Sequence, residues 1–440
     1  VKHFWQRKAN YYPVVYQSSS TLKKNKLRRV FSESESDLCR FVLFQGANSY
    51  GQLGQGHAED QLVPRLSGVS ELQTKVIRVV RGGGGHTAVI TEGGEVFVCG
   101  QNHKGQLGIG HCADIATFQI CPIFNQRVTD VACGWDFSLL LTEGGKLLAC
   151  GSNAFGQLGV GETVTHTADP LLVECLKEPI VSVAAGLRHS LAVNDSGCVY
   201  QWGNGLFSHA KRALGPHSVP SHLRSNVPCL VPGLSQKKSA LVKAGSAHCV
   251  CLTEEGELFL WGSNKHEQLG TSESFLPSPT PLRRSLLNGE KVSNVWSGWS
   301  HIIAQTESGR VFTWGRGDYG QLGRPNSDSQ TPEELLAGFI TGTSQSRAVC
   351  CPAEVHVLRG ATQISCGSEH NLAVVGDRLL SWGWNEHGMC GNGFQTNVLH
   401  PGLISNLRAV LVGCGAGHSM AVCTRITVST GAEKRRSMKL

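Results

Sequence analysis

The sequence predicts an all-β fold, a seven-bladed propeller closed by N- and C-terminal strands that share one blade. Three observations lead there. A turn of the form Gly-x-Asn-x-x-Gly-Gln-Leu-Gly, or a remnant of it, recurs at Gly46, Gly100, Gly151, Gly203, Gly262, Gly315 and Gly383, roughly every 50–70 residues. A second element, Gly-x-x-His, alternates with it at Gly83–His86, Gly186–His189, Gly245–His248, Gly298–His301, Gly367–His370 and Gly415–His418. The stretch Gly134-Trp135-Asp136-Phe137 is a further copy with Phe in place of His. Finally, the array starts in the middle of one unit and stops in the middle of another.

Each element follows from its local pattern. Between the His of one copy and the next turn glycine lie two short apolar runs split by a Gly-bearing turn. Examples are His189–Val193, Asn194–Gly197 and Cys198–Trp202, and likewise Thr306–Gly309 followed by Val311–Trp314. Such runs are antiparallel strands, and the body shows no long helical period. A repeat of this length is a supersecondary unit that cannot bury its core alone, so the units must stack. The chain enters at Phe41–Phe44, the second strand of a hairpin whose Gly-x-x-His partner is missing. It leaves from Val410–Val412 through Gly415–His418 to Cys423, a first strand without its second. The halves complete each other if the array closes into a ring, which leaves only short protected edges.

The combined Gly-x-x-His and Trp-Gly-x-Asn-x-x-Gly-Gln-Leu-Gly signature, from Phe41 to Cys423, resembles the regulator of chromosome condensation repeat family. Within it, Gly82–His86, Cys133–Phe137, Trp296–Trp299 and Ser381–Gly391 are most similar to a branch associated with secretion. The resemblance implies a propeller that binds a small Ras-type GTPase and acts as its guanine nucleotide exchange factor. The alternative it leaves is a non-catalytic scaffold that binds a GTPase or a secretory tethering component through the same face.

Composition narrows the partner classes. With 40% hydrophobic residues there is ample material for a core, and 53 glycines suit a fold needing several tight turns per blade. The net charge of +7 is carried by the ends: residues 1–40 hold nine Lys/Arg against three acids, and residues 424–440 hold five against one. The body, residues 41–423, is therefore mildly acidic, which argues against DNA docking through the propeller. Residues 1–40, with Lys23–Arg29 followed by Ser32–Asp37, read as a disordered basic leader or the product of an inaccurate first exon, and 424–440 as a basic tail. No apolar run approaches a membrane span or a signal peptide. The expectation is a cytoplasmic monomer, with the basic cluster able to serve as a nuclear address.

Seventeen cysteines do not spell a metal or disulfide framework. Cys99 and Cys150 take the repeat position of Trp202, Trp261, Trp314 and Trp382, while Cys133, Cys366 and Cys414 precede a loop glycine, so they read as small buried thiols. The loop histidines are spread around a ring, whereas a metal gathers its ligands at one point. Their plain reading is a residue that fixes the loop through hydrogen bonds to backbone. No phosphate loop, zinc-protease helix or nucleophile elbow occurs, so no catalytic residue, metal or cofactor is expected.

What the family resemblance implies about the site is more specific. In an exchange-factor member, acidic and histidine residues of these loops contact the GTPase. Carried over by position, that points to Asp136 and Glu369 as acids and to His301, His370 and His418. The chromatin-bound member also carries a wedge as extra residues in the third turn, and Ser152–Gly159 here has none. The following unit, Asn204–Gly215, is irregular and reads as a longer turn exposing Leu206 and Phe207 and adding Lys211 and Arg212, a substitute contact element. Only Trp135 and Trp299 occupy the place that a photoreceptor of the family fills with clustered tryptophans, which argues against light sensing. A long stretch from Arg324 to Leu358, with a capped helical turn at Thr331–Leu336, reads as a surface loop.

Overall fold

The computed structural model describes residues 40–68, 70–123, 126–324, 351–404 and 407–424. The helical turn expected at Thr331–Leu336, nearly all of the basic leader and all but the first residue of the tail lie outside these residues.

Seven four-stranded antiparallel sheets form the chain, and their innermost strands touch in sequence until the last meets the first. Six sheets are built from consecutive strands. The remaining one runs, from outside inward, Gln61–Leu66, Arg40–Gly46, His418–Thr424 and Ala409–Cys414. The ring therefore closes as the sequence predicts, with Phe41 opposite Cys423 and Phe44 opposite Met420. The closing pair extends one residue past the expected limits, to Arg40 opposite Thr424. Blades are numbered here by the turn each carries, so blade 1 holds Gly46–Gly54 and blade 7 holds Gly383–Gly391.

Strand burial follows from stacking. His86–Thr91 and His248–Thr253 are buried at every residue because each blade is covered on both faces by its neighbours. Outer strands such as His166–Leu172 are half exposed.

The turn is built around its asparagine. Asn264 donates from Nδ2 to the Thr271 and Glu273 carbonyls at 2.8 and 2.6 Å, and its Oδ1 accepts from the Leu269 amide at 2.8 Å. Asn48, Asn102, Asn153 and Asn385 repeat the arrangement in blades 1, 2, 3 and 7. The first turn glycine must be glycine: at Gly46 φ is +103° and a Cβ would lie 2.5 Å from the Gly417 carbonyl oxygen.

The turn then fastens its blade to the next. Its Gln carbonyl receives the indole N–H of the following blade, from Trp202 to Gln157 at 2.9 Å, Trp314 to Gln268 at 2.9 Å and Trp382 to Gln321 at 3.0 Å. Where cysteine replaces tryptophan the thiol donates instead, from Cys99 to Gln52 at 3.4 Å and Cys150 to Gln106 at 3.6 Å. These thiols are thus weak donors as well as small hydrophobes.

The loop histidines also reach across blades, and mostly not to backbone as the sequence suggests. The Nε2 atoms of His86, His370 and His418 lie 2.9, 3.0 and 2.8 Å from Ser138, Ser419 and Thr87 hydroxyls of the next blade. Each hydroxyl gives its single proton to a turn carbonyl, of Gln106, Met389 or Gln52. The imidazole must therefore be the donor, a neutral ring protonated on Nε2. His248 and His301 bond in the same way to Ser297 and Asn371. The ring itself lies on the loop glycine: a Cβ on Gly83 would meet His86 at 1.9 Å, and one on Gly134 would meet Phe137 at 2.0 Å. Phe137 can thus replace His because the flat ring on glycine is the shared requirement.

Two predictions follow from these bonds. Asn264→Ala strands two carbonyls and an amide and should cost about 2–4 kcal/mol, read as a lowered urea midpoint. The histidines set a pH dependence. Burial lowers His86, His248, His370 and His418 to about 3, and His189 and His301 to about 4, against an ordinary value of 6.5. Below 6.5 the unfolded chain takes up protons that the folded chain refuses, so stability should fall as pH drops from about 6.5 toward 4, by at most ~1.4 kcal/mol per histidine per pH unit. Glu369, raised by burial to about 7, opposes this between about 4.5 and 7, and Asp130 and Asp136, also raised by burial, oppose it too, three carboxyls against six histidines. A urea midpoint unchanged between pH 7 and pH 5 would show that these rings are not held neutral.

Candidate functional site

The Gly-x-x-His loops and the turns lie at the same end of each blade and are laced together there. The residue after the first turn glycine donates to the carbonyl of the loop's third residue, as from Gln101 to Gly85, Ser152 to Asp136, Arg316 to Ser300 and Trp384 to Glu369. Around the axis, backbone bonds join loop to loop, from Ser246 to Trp299, Trp299 to Ser368 and Ala416 to Gly83. Trp135 and Trp299 meet there with ring centres 6.4 Å apart. This end is a continuous surface of loops inside and turns outside.

Third-place loop side chains reach the turn of the preceding blade. Glu369 is 3% exposed; it accepts from Gln321 at 2.6 Å, Ser300 at 3.1 Å and Arg316 at 3.5 Å. Loss of solvent outweighs the attraction of Arg316, which is why its carboxyl rises to about 7. Arg188 lies over the Phe155 ring at 4.1 Å. Asp136, half-buried, is pushed up by burial and held down by Ser152 and by the charges of His103, Arg188 and Lys104.

The nine contact residues expected from the sequence separate by depth. His301, His370 and His418 are fully enclosed, and Glu369 nearly so, so they lie beneath the surface that the sequence reading placed them on. Leu206 is a second correction. The irregular segment of blade 4 is not an open turn but a 3-10 turn, Asn204–Leu206, leading into the helix Phe207–Leu214, and Leu206 is 0% exposed. Gly205 stands where five of the turns have Asn, so the carbonyl-gathering side chain is missing. Blade 6 has glycine there too, Gly317, yet keeps a regular turn, so the coiling of blade 4 comes from the residues that follow Gly205. Two substitutions repair the loss. Leu206 is buried as the turn leucines Leu53, Leu107, Leu158, Leu269 and Leu322 are. The Gln201 side-chain oxygen accepts the Trp261 indole N–H at 2.7 Å, in place of the missing turn carbonyl. Phe207 is half-buried, and Lys211 and Arg212 are exposed on the helix.

Two sectors make up the outer rim. Over blades 6, 7 and 1 runs a chain of aromatic and charged groups. Arg316 bonds to Asp318 at 2.6 Å and lies 5.0 Å over Tyr319; Tyr319 and Trp384 centres are 6.3 Å apart; Trp384 meets the edge of His387, which is 2.7 Å from Asp60. Tyr, Trp and Arg are the side chains that most often dominate protein interfaces. Sequence reasoning missed this cluster because its members come from three blades. The signal available was the aromatic tip residues Tyr319 and Trp384 in adjacent turns. The other sector, over blades 2 to 5, carries Lys104, Arg188, Lys211, Arg212 and Lys265.

Among the described residues no cluster of three or more metal-ligating side chains forms, and no helix is long and apolar enough to cross a membrane. The described cysteines are free thiols. Leu206 is enclosed in the packing at this end of the ring. Leu206→Ala should therefore act on stability, costing about 2–5 kcal/mol in a denaturation curve, rather than on a surface contact.

The RCC1-like domain family matches residues 41–421. The chain is 50% identical over 400 residues to the secretion-regulating guanine nucleotide exchange factor of Mus musculus, covering 89% of this chain and 85% of the mouse protein. It is 48% identical over 390 residues to the protein of that name from Bos taurus, covering 86% and 82%. Yeast RCC1 (Prp20), solved bound to Kap60, superposes with a TM-score of 0.73 at 24% identity over 92% of this chain and 93% of that one, a likeness of fold. With a family match spanning the whole ring and relatives this similar over most of their length, the chain belongs to the RCC1-like domain family.

Proposed function

We propose that the protein is a guanine nucleotide exchange factor for a small Ras-type GTPase, acting in secretion through the loop-and-turn end of the propeller. The observation that carries this is its near-full-length similarity to two proteins of that name. The surface chemistry is compatible, because exchange needs no acid, base or metal. The factor must stabilise the nucleotide-free GTPase, and by linkage it loosens nucleotide by the factor by which nucleotide loosens the complex. Accelerating release by ~10³ to 10⁵ takes roughly 4–7 kcal/mol of differential stabilisation. A cluster like Arg316, Tyr319 and Trp384 can supply that. The helix Phe207–Leu214 is the feature of this end that departs from the regular turn, and it offers Phe207, Lys211 and Arg212 for insertion against the partner.

One observation favours a second reading. The blade 3 turn is regular, with the Asn153 hydrogen bonds to Gly161, Val164 and Leu158 all in place, so it carries no inserted wedge. A scaffold that binds a GTPase or a secretory tethering component without exchange needs no wedge.

GDP release from a panel of purified small GTPases, with catalytic amounts of the full chain, separates the two. Acceleration with one GTPase, for bound GDP and GTP alike, is the expected result. Binding without acceleration across the panel moves the protein to the scaffold reading.

A further inference from the structure

The rim of the loop-and-turn end is electrostatically divided, and the division names the chemistry of what sits on it. Lys104 is exposed at the tip of the blade 2 turn, Lys211 and Arg212 on the blade 4 helix, and Lys265 at the tip of the blade 5 turn. Arg188, half-buried, stands over Phe155 of blade 3 and so bridges the first to the second. Blades 2, 4 and 5 thus contribute five cations to one arc, which passes over Phe155 of blade 3. The acids of these blades' turns are mostly engaged or set back: Asp114 accepts from the Asn102 amide at 2.6 Å and Glu162 from Asn226 at 2.7 Å, Asp136 and Glu267 are half-buried, and Glu273 is exposed. His209 is depressed by burial and then by Arg212 and Lys265, and His266 by burial, Arg316 and Lys265. Both rings thus feel the arc's field, and Lys265 acts on each. Across the ring, blades 6, 7 and 1 present Asp318, Glu386 and Asp60, and Arg316 there is engaged by Asp318 and Glu369.

We propose that the arc formed by Lys104, Arg188, Lys211, Arg212 and Lys265 is a docking site for a carboxylate-rich surface of a protein partner. On the exchange-factor reading above, that partner is the GTPase. The arc is not general surface positivity, because the body between the two basic ends is mildly acidic. A nucleic-acid duplex fits it poorly. A rod laid across this end would cross the acidic sector, where phosphates are repelled. A compact protein with acids on one flank avoids that repulsion and is oriented by it. The aromatic cluster of blades 6 and 7 then supplies burial, while the arc supplies registration and rate; steering of this kind raises association rates ~10- to 10³-fold and is screened by salt.

The test uses the full chain, so both basic ends are present in every sample. Lys104→Glu, Arg212→Glu and Lys265→Glu are combined, and Lys146→Glu with Lys177→Glu serves as a control at the hairpin-turn end of the blades. Affinity for a fluorescent glutamate-rich peptide, measured at about 50 and 200 mM salt, should fall tenfold or more in the triple variant and stay within twofold in the control. Equal peptide binding by wild type and triple variant overturns the arc, as does a short DNA duplex that competes through the same three residues. The GTPase panel decides the other question. If the triple variant loses peptide binding and also slows GDP release, the GTPase is the acidic partner. If wild type binds peptide through the arc but accelerates no GTPase, the arc stands and the exchange reading falls.

Discussion

The structure depends on the hydrogen bond that carries one blade to the next, from an indole or thiol to the carbonyl of a turn glutamine. In five turns an asparagine satisfies the other backbone groups around that carbonyl, whereas blade 6, with Gly317 in that place, presents its Gln321 carbonyl without one. The buried tryptophan that donates to it also fills the space between two blades. Packing and polar satisfaction are therefore the same event at Trp202, Trp314 and Trp382, and a blade cannot gain one without the other. Blade 4 shows how firm the requirement is. When its turn is lost, Gln201 supplies a side-chain oxygen so that Trp261 still has an acceptor.

This explains how far the sequence could be read. Gly46, Asn48, Gln52 and Leu53 recur because each answers a demand that few other residues meet, so their spacing reports blade number and closure directly. The candidate site was legible only in part. His301, His370 and His418 recur for the same structural reason, so their repetition pointed to the interior rather than to a contact surface. Leu206 is exposed only if its segment is a longer turn, and the segment is a helix instead. The clue against the turn was the run Phe207-Ser-His-Ala-Lys-Arg-Ala-Leu214, most of which suits a helix. The partners of Glu369, at Ser300, Arg316 and Gln321, are set by ring geometry and have no signature along the chain.

The proposed contact surface is correspondingly built from residues that the repeat does not dictate. The side chains at the turn tips take no part in the asparagine network, so Lys104, Phe155, Lys265, Tyr319 and His387 can differ from blade to blade. A seven-fold scaffold thereby acquires a surface without seven-fold symmetry, aromatic on one side and cationic on the other. A partner bound there meets a directed surface and has one favoured orientation.

The shared first blade has a consequence for how the chain comes to be folded. Its two central strands lie ~380 residues apart, and bringing such distant ends together costs roughly 5 kcal/mol of chain entropy before any pairing repays it. During synthesis Arg40–Gly46 emerges early and His418–Thr424 late, so the apolar flanks meant for blade 1 must wait uncovered. The nascent chain, with its unsealed seam, is then the species most exposed to aggregation and to chaperones, while the finished ring presents no such edge.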